Sequence, residues 1–215
     1  MVMARRTTLA LGAMLAIAAF SAEASAATTK PEIGKPAPTF SGIDTKGQTI
    51  SLADLRGKTV VLEWTNHECP YVRKHYGSGN MQKLQAEAVK EGVVWLTLIS
   101  SAPGAEGNVS PAEADELTLS RKASPTHVIL DERGTIGRMY NARTTPHVFV
   151  INPQGTLVYM GGIDNRPTTD KGDIAGATNY VRAALDAVKN GTPVATPIAR
   201  PYGCSIKYAP ENARS

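Results

Sequence analysis

Cysteine is scarce. Only Cys69 and Cys204 occur in 215 residues, and their wide separation excludes a local CxxC pair and any zinc cluster built from cysteines alone. Aromatic residues make up 6% of the chain, too few to favour a surface on which nucleic-acid bases stack. The net charge is +4, but no long basic run accounts for it. Arg73–Lys74 and Arg121–Lys122 are isolated pairs, which reads as a solvated basic surface and not as a nucleic-acid footprint. No apolar run reaches the roughly 20 residues that cross a bilayer. With 42% hydrophobic and 20% charged residues, a wholly disordered or collagen-like chain is excluded as well. The length suits one domain with extensions, or at most two small ones.

The main apolar run, Leu9 to Phe20, follows the basic pair Arg5–Arg6 and precedes Ala24-Ser25-Ala26. Basic, apolar and small-residue regions in that order form a secretory signal, with cleavage expected after Ala26. A soluble exported protein follows, with a bacterial periplasm as the expected location. Export places both cysteines in an oxidising compartment, where a disulfide can persist.

Thr39–Gly42 and Gln48–Ser51 read as short strands about the turn Thr45-Lys46-Gly47. Thr59–Thr65, Val93–Ser100, Thr126–Asp131 and Pro146–Asn152 are apolar, β-branched runs expected as buried strands. Thr156–Met160 is expected as a hairpin partner across Pro153-Gln154-Gly155. A helix is expected after Cys69-Pro70, where Met81, Leu84, Ala88 and Val89 recur at helical spacing and Gly77-Ser78-Gly79 should split it. Pro111–Lys122 and Ile174–Asn190 are the other expected helices, and the Pro-rich residues beyond them read as irregular. The order β-β-β-α-β-α-β-β-β-α predicts an α/β fold, with a central sheet flanked by helices.

Cys69 falls between a strand and a helix, with Pro70 suited to the first helical position. A cysteine at that N-cap meets free backbone N–H groups and the positive end of the helix dipole, both of which favour a thiolate. Arg73, four residues on, can lean back toward the sulfur. His67, His75 and His147 map near the same turn, whereas His127 is expected to be a strand residue without a role. Glu63 lies inside an apolar strand, where it either faces the thiol as a proton acceptor or points outward. Trp64 is expected to shield the site. The bland alternative is an inert Cys69–Cys204 disulfide. On position alone the Thr145–Pro146 bond is expected to be trans, the usual form.

The segment Trp64-Thr65-Asn66-His67-Glu68-Cys69-Pro70, followed far downstream by Thr145-Pro146-His147-Val148-Phe149-Val150, resembles the thioredoxin-like redoxins. That group includes the AhpC/TSA-type peroxiredoxins and the exported thiol–disulfide oxidoreductases. The resemblance covers residues 33–190, leaving 1–26 as signal peptide, 27–32 as an arm and 191–215 as an irregular tail carrying Cys204. It implies a thioredoxin-like fold with a mixed sheet, Cys69 as the attacking thiol and a cis Thr145–Pro146 bond packed beside it. Thr145, Pro146, Trp64 and His67 would then shape a substrate groove, and Cys69, Cys204 and Arg73 would carry the chemistry.

Departures from the pattern bear on function. Where thioredoxins carry a second cysteine, this chain has Val72. Where peroxiredoxins carry a proline and a threonine ahead of the cysteine, it has Leu62 and Asn66, and it keeps the loop proline that they replace. Cys204 is the remaining candidate for a resolving thiol. Residues 192–203 could span about 40 Å at ~3.3 Å per residue, enough to cross a small domain. The expected activity is thiol-dependent oxidoreduction of protein thiols, disulfides or small peroxides, exchanging electrons with a partner redox protein. No cofactor, metal, nucleic acid or membrane span is expected. Two other functions fit the same residues. One is Cu(I) carriage by Cys69 with His67, His147 or Cys204. The other is a binding module whose disulfide only staples the tail.

Overall fold

The computed structural model describes residues 30–210. The expected signal segment 1–26 and the first residues of the arm lie outside them. Two short strands, β1 (Ser41–Ile43) and β2 (Thr49–Ser51), form an antiparallel ribbon ahead of the main sheet. The central strand β3 (Val60–Trp64) is buried along its whole length, as its mostly apolar pattern, broken only by Glu63, requires of a strand covered on both faces. α1 (Pro70–Gly77) follows, then α2 (Asn80–Lys90). They are parted where expected, at Gly79, which takes a left-handed φ of 77°.

β4 (Val94–Ile99) runs parallel to β3. α3 (Pro111–Ser120) opens with a capping box, in which the Ser110 hydroxyl accepts from the Glu113 N–H and the Glu113 carboxylate reaches back to Ser110. β5 (His127–Leu130) extends the parallel side of the sheet. A short helix absent from the sequence reading, α4 (Thr135–Met139), comes next. The Asp131 carboxylate organises it by accepting the N–H groups of Ile136 and Gly137 at 3.2 and 2.8 Å.

A two-residue strand, β6 (Thr144–Thr145), leads into β7 (His147–Ile151), which pairs antiparallel with β3 and with β8 (Leu157–Gly161). The sheet order is therefore β5-β4-β3-β7-β8, a mixed sheet with the closing hairpin at one edge. The helix expected from Ile174 begins later. A 3-10 turn occupies Lys171–Gly176, and α5 (Tyr180–Lys189) starts where the Asn179 side chain accepts from the Arg182 N–H at 2.9 Å. The described part of the tail, 191–210, is irregular and contributes β9 (Cys204–Ser205). This arrangement is the thioredoxin-like fold.

One face of the sheet packs Leu62, Trp64, Leu96, Leu98 and Phe149 against Phe40, Ile136 and Tyr140. The other packs Val61, Trp95, Val148 and Val150 against Val72, Met81, Leu84, Val181 and Leu185 of α1, α2 and α5. Cys69 belongs to this second core, so the thiol sits at the top of the helix-covered face. No helix among the described residues is long and apolar enough to cross a membrane.

Candidate active site

Past Trp64 the chain leaves the sheet and must reverse into α1. Asn66 builds that turn, its Oδ1 accepting the Glu68 N–H at 2.8 Å and its carbonyl accepting the Cys69 N–H at 3.2 Å. Cys69 is the N-cap, with extended φ and ψ of −66° and 124°, and Pro70 fills the first helical turn, where its missing N–H costs nothing. The sulfur is wholly buried. In its thiol form it donates to the Thr145 carbonyl at 3.0 Å, and it lies 2.6 Å from the Cys204 sulfur, both cysteines being free.

Burial pushes the Cys69 thiol up. The Cys204 thiol, the N–H groups of Val72 and Cys204 and the Thr145 hydroxyl together outweigh it, and the net direction is down. These are charge-assisted hydrogen bonds to the developing thiolate. Cys204 moves the other way, to about 12, through burial first and then the neighbouring Cys69 sulfur. The two thiols therefore ionise in order, Cys69 first, with Cys204 still protonated and able to donate to it.

Cys204 is held there by backbone pairing. β9 lies antiparallel to β6, with Cys204 opposite Thr145 and Ser205 opposite Thr144, and the Ile206 N–H continues the ladder to the Arg143 carbonyl at 3.0 Å. The Thr145–Pro146 bond is cis, as the family resemblance implied and position alone did not. Gly203 adopts a φ of +137°, and a Cβ there would fall 2.0 Å from the Thr145 carbonyl oxygen. Only glycine allows so close an approach of the two chains.

Not every expected site residue faces the sulfurs. Arg73 leans back along α1 but gives its Nε to the His67 carbonyl at 3.2 Å, in solvent, and not to the sulfur. The same carbonyl accepts from Arg121 at 3.4 Å. The His67 ring lines a small cavity under α3 with Thr65, Tyr76 and Arg121. Trp64 does not wall a groove: it is fully buried against Tyr140 and Phe149, with its Nε1–H on Ser100 Oγ at 3.0 Å. Thr145 and Pro146 are buried too, because the tail covers them. Thr144 remains at the edge of an open groove shared with Tyr71, Tyr180 and Ile198.

The histidines divide in the same way. His147 is buried against Phe149, accepts the Arg143 N–H, and is pushed by burial to about 3. His127 is not idle, since it pairs with Asp44 at 2.9 Å. His75 faces the tail, 3.0 Å from the Tyr202 hydroxyl. Among the described residues, no cluster of three or more His, Cys, Asp or Glu could hold a metal.

Glu63, whose facing the sequence left open, points inward and is fully buried. Its carboxylate accepts from Trp95 Nε1 at 2.8 Å, Tyr76 Oη at 2.9 Å, Gln85 Nε2 at 3.0 Å and Thr97 Oγ1 at 3.4 Å. Burial still holds it above its ordinary value. The available signal was an acid within an otherwise apolar strand. Its four donors, spread over two helices and a neighbouring strand, were not legible.

The model of the AhpC/TSA family matches residues 33–160. Thioredoxin-like protein YneN of Bacillus subtilis is 26% identical over 144 residues, 66% of this chain and 79% of that protein. Among solved structures, an uncharacterized conserved protein from Geobacillus kaustophilus superposes with a TM-score of 0.70 at 25% identity, covering 84% of this chain and 94% of that one. A putative thiol:disulfide interchange protein DsbE from Chlorobium tepidum gives a TM-score of 0.52 at 22% identity over 73% of this chain and 99% of that one, a likeness of fold. The family match spans both the Cys69 turn and the Thr145–Pro146 loop, the two segments that create the thiol's surroundings. The chain belongs to the AhpC/TSA family.

Proposed function

We propose that this protein is an exported thiol–disulfide oxidoreductase in which Cys69 attacks a disulfide and Cys204 resolves the product. The observation that carries this is the meeting of the two sulfurs, 2.6 Å apart, beside the cis Thr145–Pro146 loop. In the first step the Cys69 thiolate bonds to one sulfur of the substrate disulfide and expels the other as a thiolate. In the second, Cys204 loses its proton, attacks Cys69 Sγ and releases the remaining substrate thiolate. The chain ends two electrons more oxidised and the substrate two more reduced. The Cys69 charge that helps keep Cys204 protonated vanishes once Cys69 is in the mixed disulfide, so Cys204 becomes easier to ionise when it is needed.

Disulfides fit better than peroxides. The Asn66 side chain, at the position where peroxiredoxins carry threonine, is spent on Glu68 and Glu106, and the loop proline is retained. The expected location is the periplasm, from the signal pattern in residues 1–26. The partner would be a protein dithiol or disulfide that recharges the pair.

The test is thiol counting on the reduced chain treated with a small disulfide or with hydrogen peroxide. Wild type should lose both thiols to an internal disulfide. Cys204→Ser should stop at a mixed disulfide on Cys69 with the disulfide and at a sulfenic acid with peroxide, and Cys69→Ser should not react productively. Faster oxidation by peroxide than by disulfide would transfer the assignment to a peroxidase. Retention of both thiols against both oxidants would overturn redox function.

A further inference from the structure

Tyr202 lies two residues before Cys204 in a socket that the exchange chemistry does not use. Its ring packs on Tyr71, with centroids 5.9 Å apart, and the Lys74 ammonium sits 5.7 Å from its centroid. The hydroxyl is bonded twice, 3.0 Å from His75 Nε2 and 2.5 Å from Asp164 Oδ1. The Asp164 carboxylate, which can only accept, fixes the directions. Tyr202 donates to it, so the Tyr202 oxygen accepts from His75 Nε2–H, and the neutral ring's Nδ1 accepts from Asn80 Nδ2 at 2.8 Å. Burial lowers the His75 pKa to about 4, which keeps the ring neutral in that role. Lys74 lies 3.8 Å from Asp164 Oδ2 and gives its ammonium to the Arg166 carbonyl at 2.6 Å, so the buried acid has a compensating charge.

Only Gly203 separates this socket from the thiol, and it is pressed against the Thr145 carbonyl. We infer that Tyr202 is a positioning residue: seated among Tyr71, His75 and Asp164, it keeps Cys204 on Cys69 while both thiols are reduced, and so sets how readily the pair closes. The inference rests on the proposed role of Cys204. Without docking, a flexible tether supplies a resolving thiol at an effective concentration in the millimolar range. Closure then scales with the fraction of reduced molecules whose tail is in place.

The experiment equilibrates full-length wild type, Tyr202→Phe and Tyr202→Ala in glutathione redox buffers. Closure consumes one glutathione disulfide and releases two glutathiones as Cys69 and Cys204 lose two electrons and two protons. The readout is the equilibrium constant for the internal disulfide, taken alongside the alkylation rate of Cys204 in the reduced chain. Tyr202→Ala should lower the constant about tenfold and speed alkylation. Tyr202→Phe, which keeps the ring but leaves His75 Nε2–H and Asp164 Oδ1 each short of a partner, should fall in between.

A merely structural role would lower the thermal midpoints of the oxidised and reduced forms together and leave the constant unmoved. Constants within twofold of wild type in both folded variants overturn the inference and leave the proposed function standing. Should the alanine variant not fold, the phenylalanine variant decides alone. A wild type that forms no Cys69–Cys204 disulfide at any glutathione ratio overturns both.

Discussion

Replacing Cys204 by alanine isolates what the second thiol does for the first. The Cys69 thiolate is supported, against burial, by the Cys204 S–H, by the N–H groups of Val72 and Cys204 and by the Thr145 hydroxyl. The substitution deletes the S–H and keeps the other three donors. A hydrogen bond to a charged partner contributes about 1.5–3 kcal/mol. At 1.36 kcal/mol per tenfold change in ionisation, the Cys69 thiolate fraction below its midpoint should fall roughly 10- to 100-fold. Cys204→Ser, which keeps an O–H donor at the same place, should fall less. Ultraviolet thiolate absorbance against pH reads this directly, because the alanine variant has a single thiol to titrate. In reduced wild type the first step should be Cys69, below the free-thiol range, and the second, near 12, Cys204. If the alanine titration coincides with the first wild-type step, Cys204 is no donor. A first wild-type step at the free-thiol value of about 8.5 would remove the activated thiol altogether.

Arg73→Ala should change the Cys69 thiolate titration by less than about twofold, because an exposed guanidinium bonded to a carbonyl contributes little through solvent; a tenfold change would place Arg73 on the sulfur after all. Glu63→Gln should alter how stability depends on pH. Burial holds the Glu63 carboxyl above its ordinary 4.5, so the folded chain binds this proton more tightly than the unfolded chain does. Its contribution is full below about 4.5 and is lost as pH rises through the folded value. Denaturant unfolding of wild type minus that of Glu63→Gln should show this decline with rising pH, and a flat difference would contradict it.

The main-sheet strands and the split of the first helix were legible because the sequence writes them locally. Thr59–Thr65 is a β-branched, mostly apolar run, and Gly77-Ser78-Gly79 interrupts a helical period. α4 was missed because its start is set by the Asp131 side chain, not by an apolar stripe. The late start of α5 depends on Asn179, a cap hidden inside a segment whose composition is compatible with helix. At the site, Cys69 could be placed from strand, Pro70 and helix alone. Arg73 was placed correctly on its helix but not in its bonding, since two arginines converge on the His67 carbonyl from different elements. The β6–β9 pairing was out of reach for a stronger reason. Two residues of strand carry no periodicity, and Thr144–Thr145 and Cys204–Ser205 reveal themselves only when the tail is laid across the domain.

Moving the second thiol from position 72 to the tail couples two demands that a helical dithiol keeps apart. Val72 packs in the core with Met81 and Val181, an apolar side chain where a helical dithiol would carry its second sulfur. Cys204 gains its position from pairing and from the seat of Tyr202, yet the same strand buries Cys69 completely. In the proposed mechanism, the contacts that hold Cys204 ready to resolve therefore also make it a cover over Cys69. Gly203→Ala separates the two effects. The φ of +137° costs a non-glycine residue about 1–3 kcal/mol, and the Cβ–oxygen distance of 2.0 Å is a clash with backbone that only a parting of β6 and β9 relieves. With the tail lifted, the first exchange of Cys69 with glutathione disulfide should speed up, while resolution of the mixed disulfide by Cys204 slows. Stopped-flow thiol quenching with mass analysis of the adducts measures both steps in one experiment. If both steps slowed together, or neither changed, the tail would not be their common control, and the burial of Cys69 would have to be relieved by movement elsewhere.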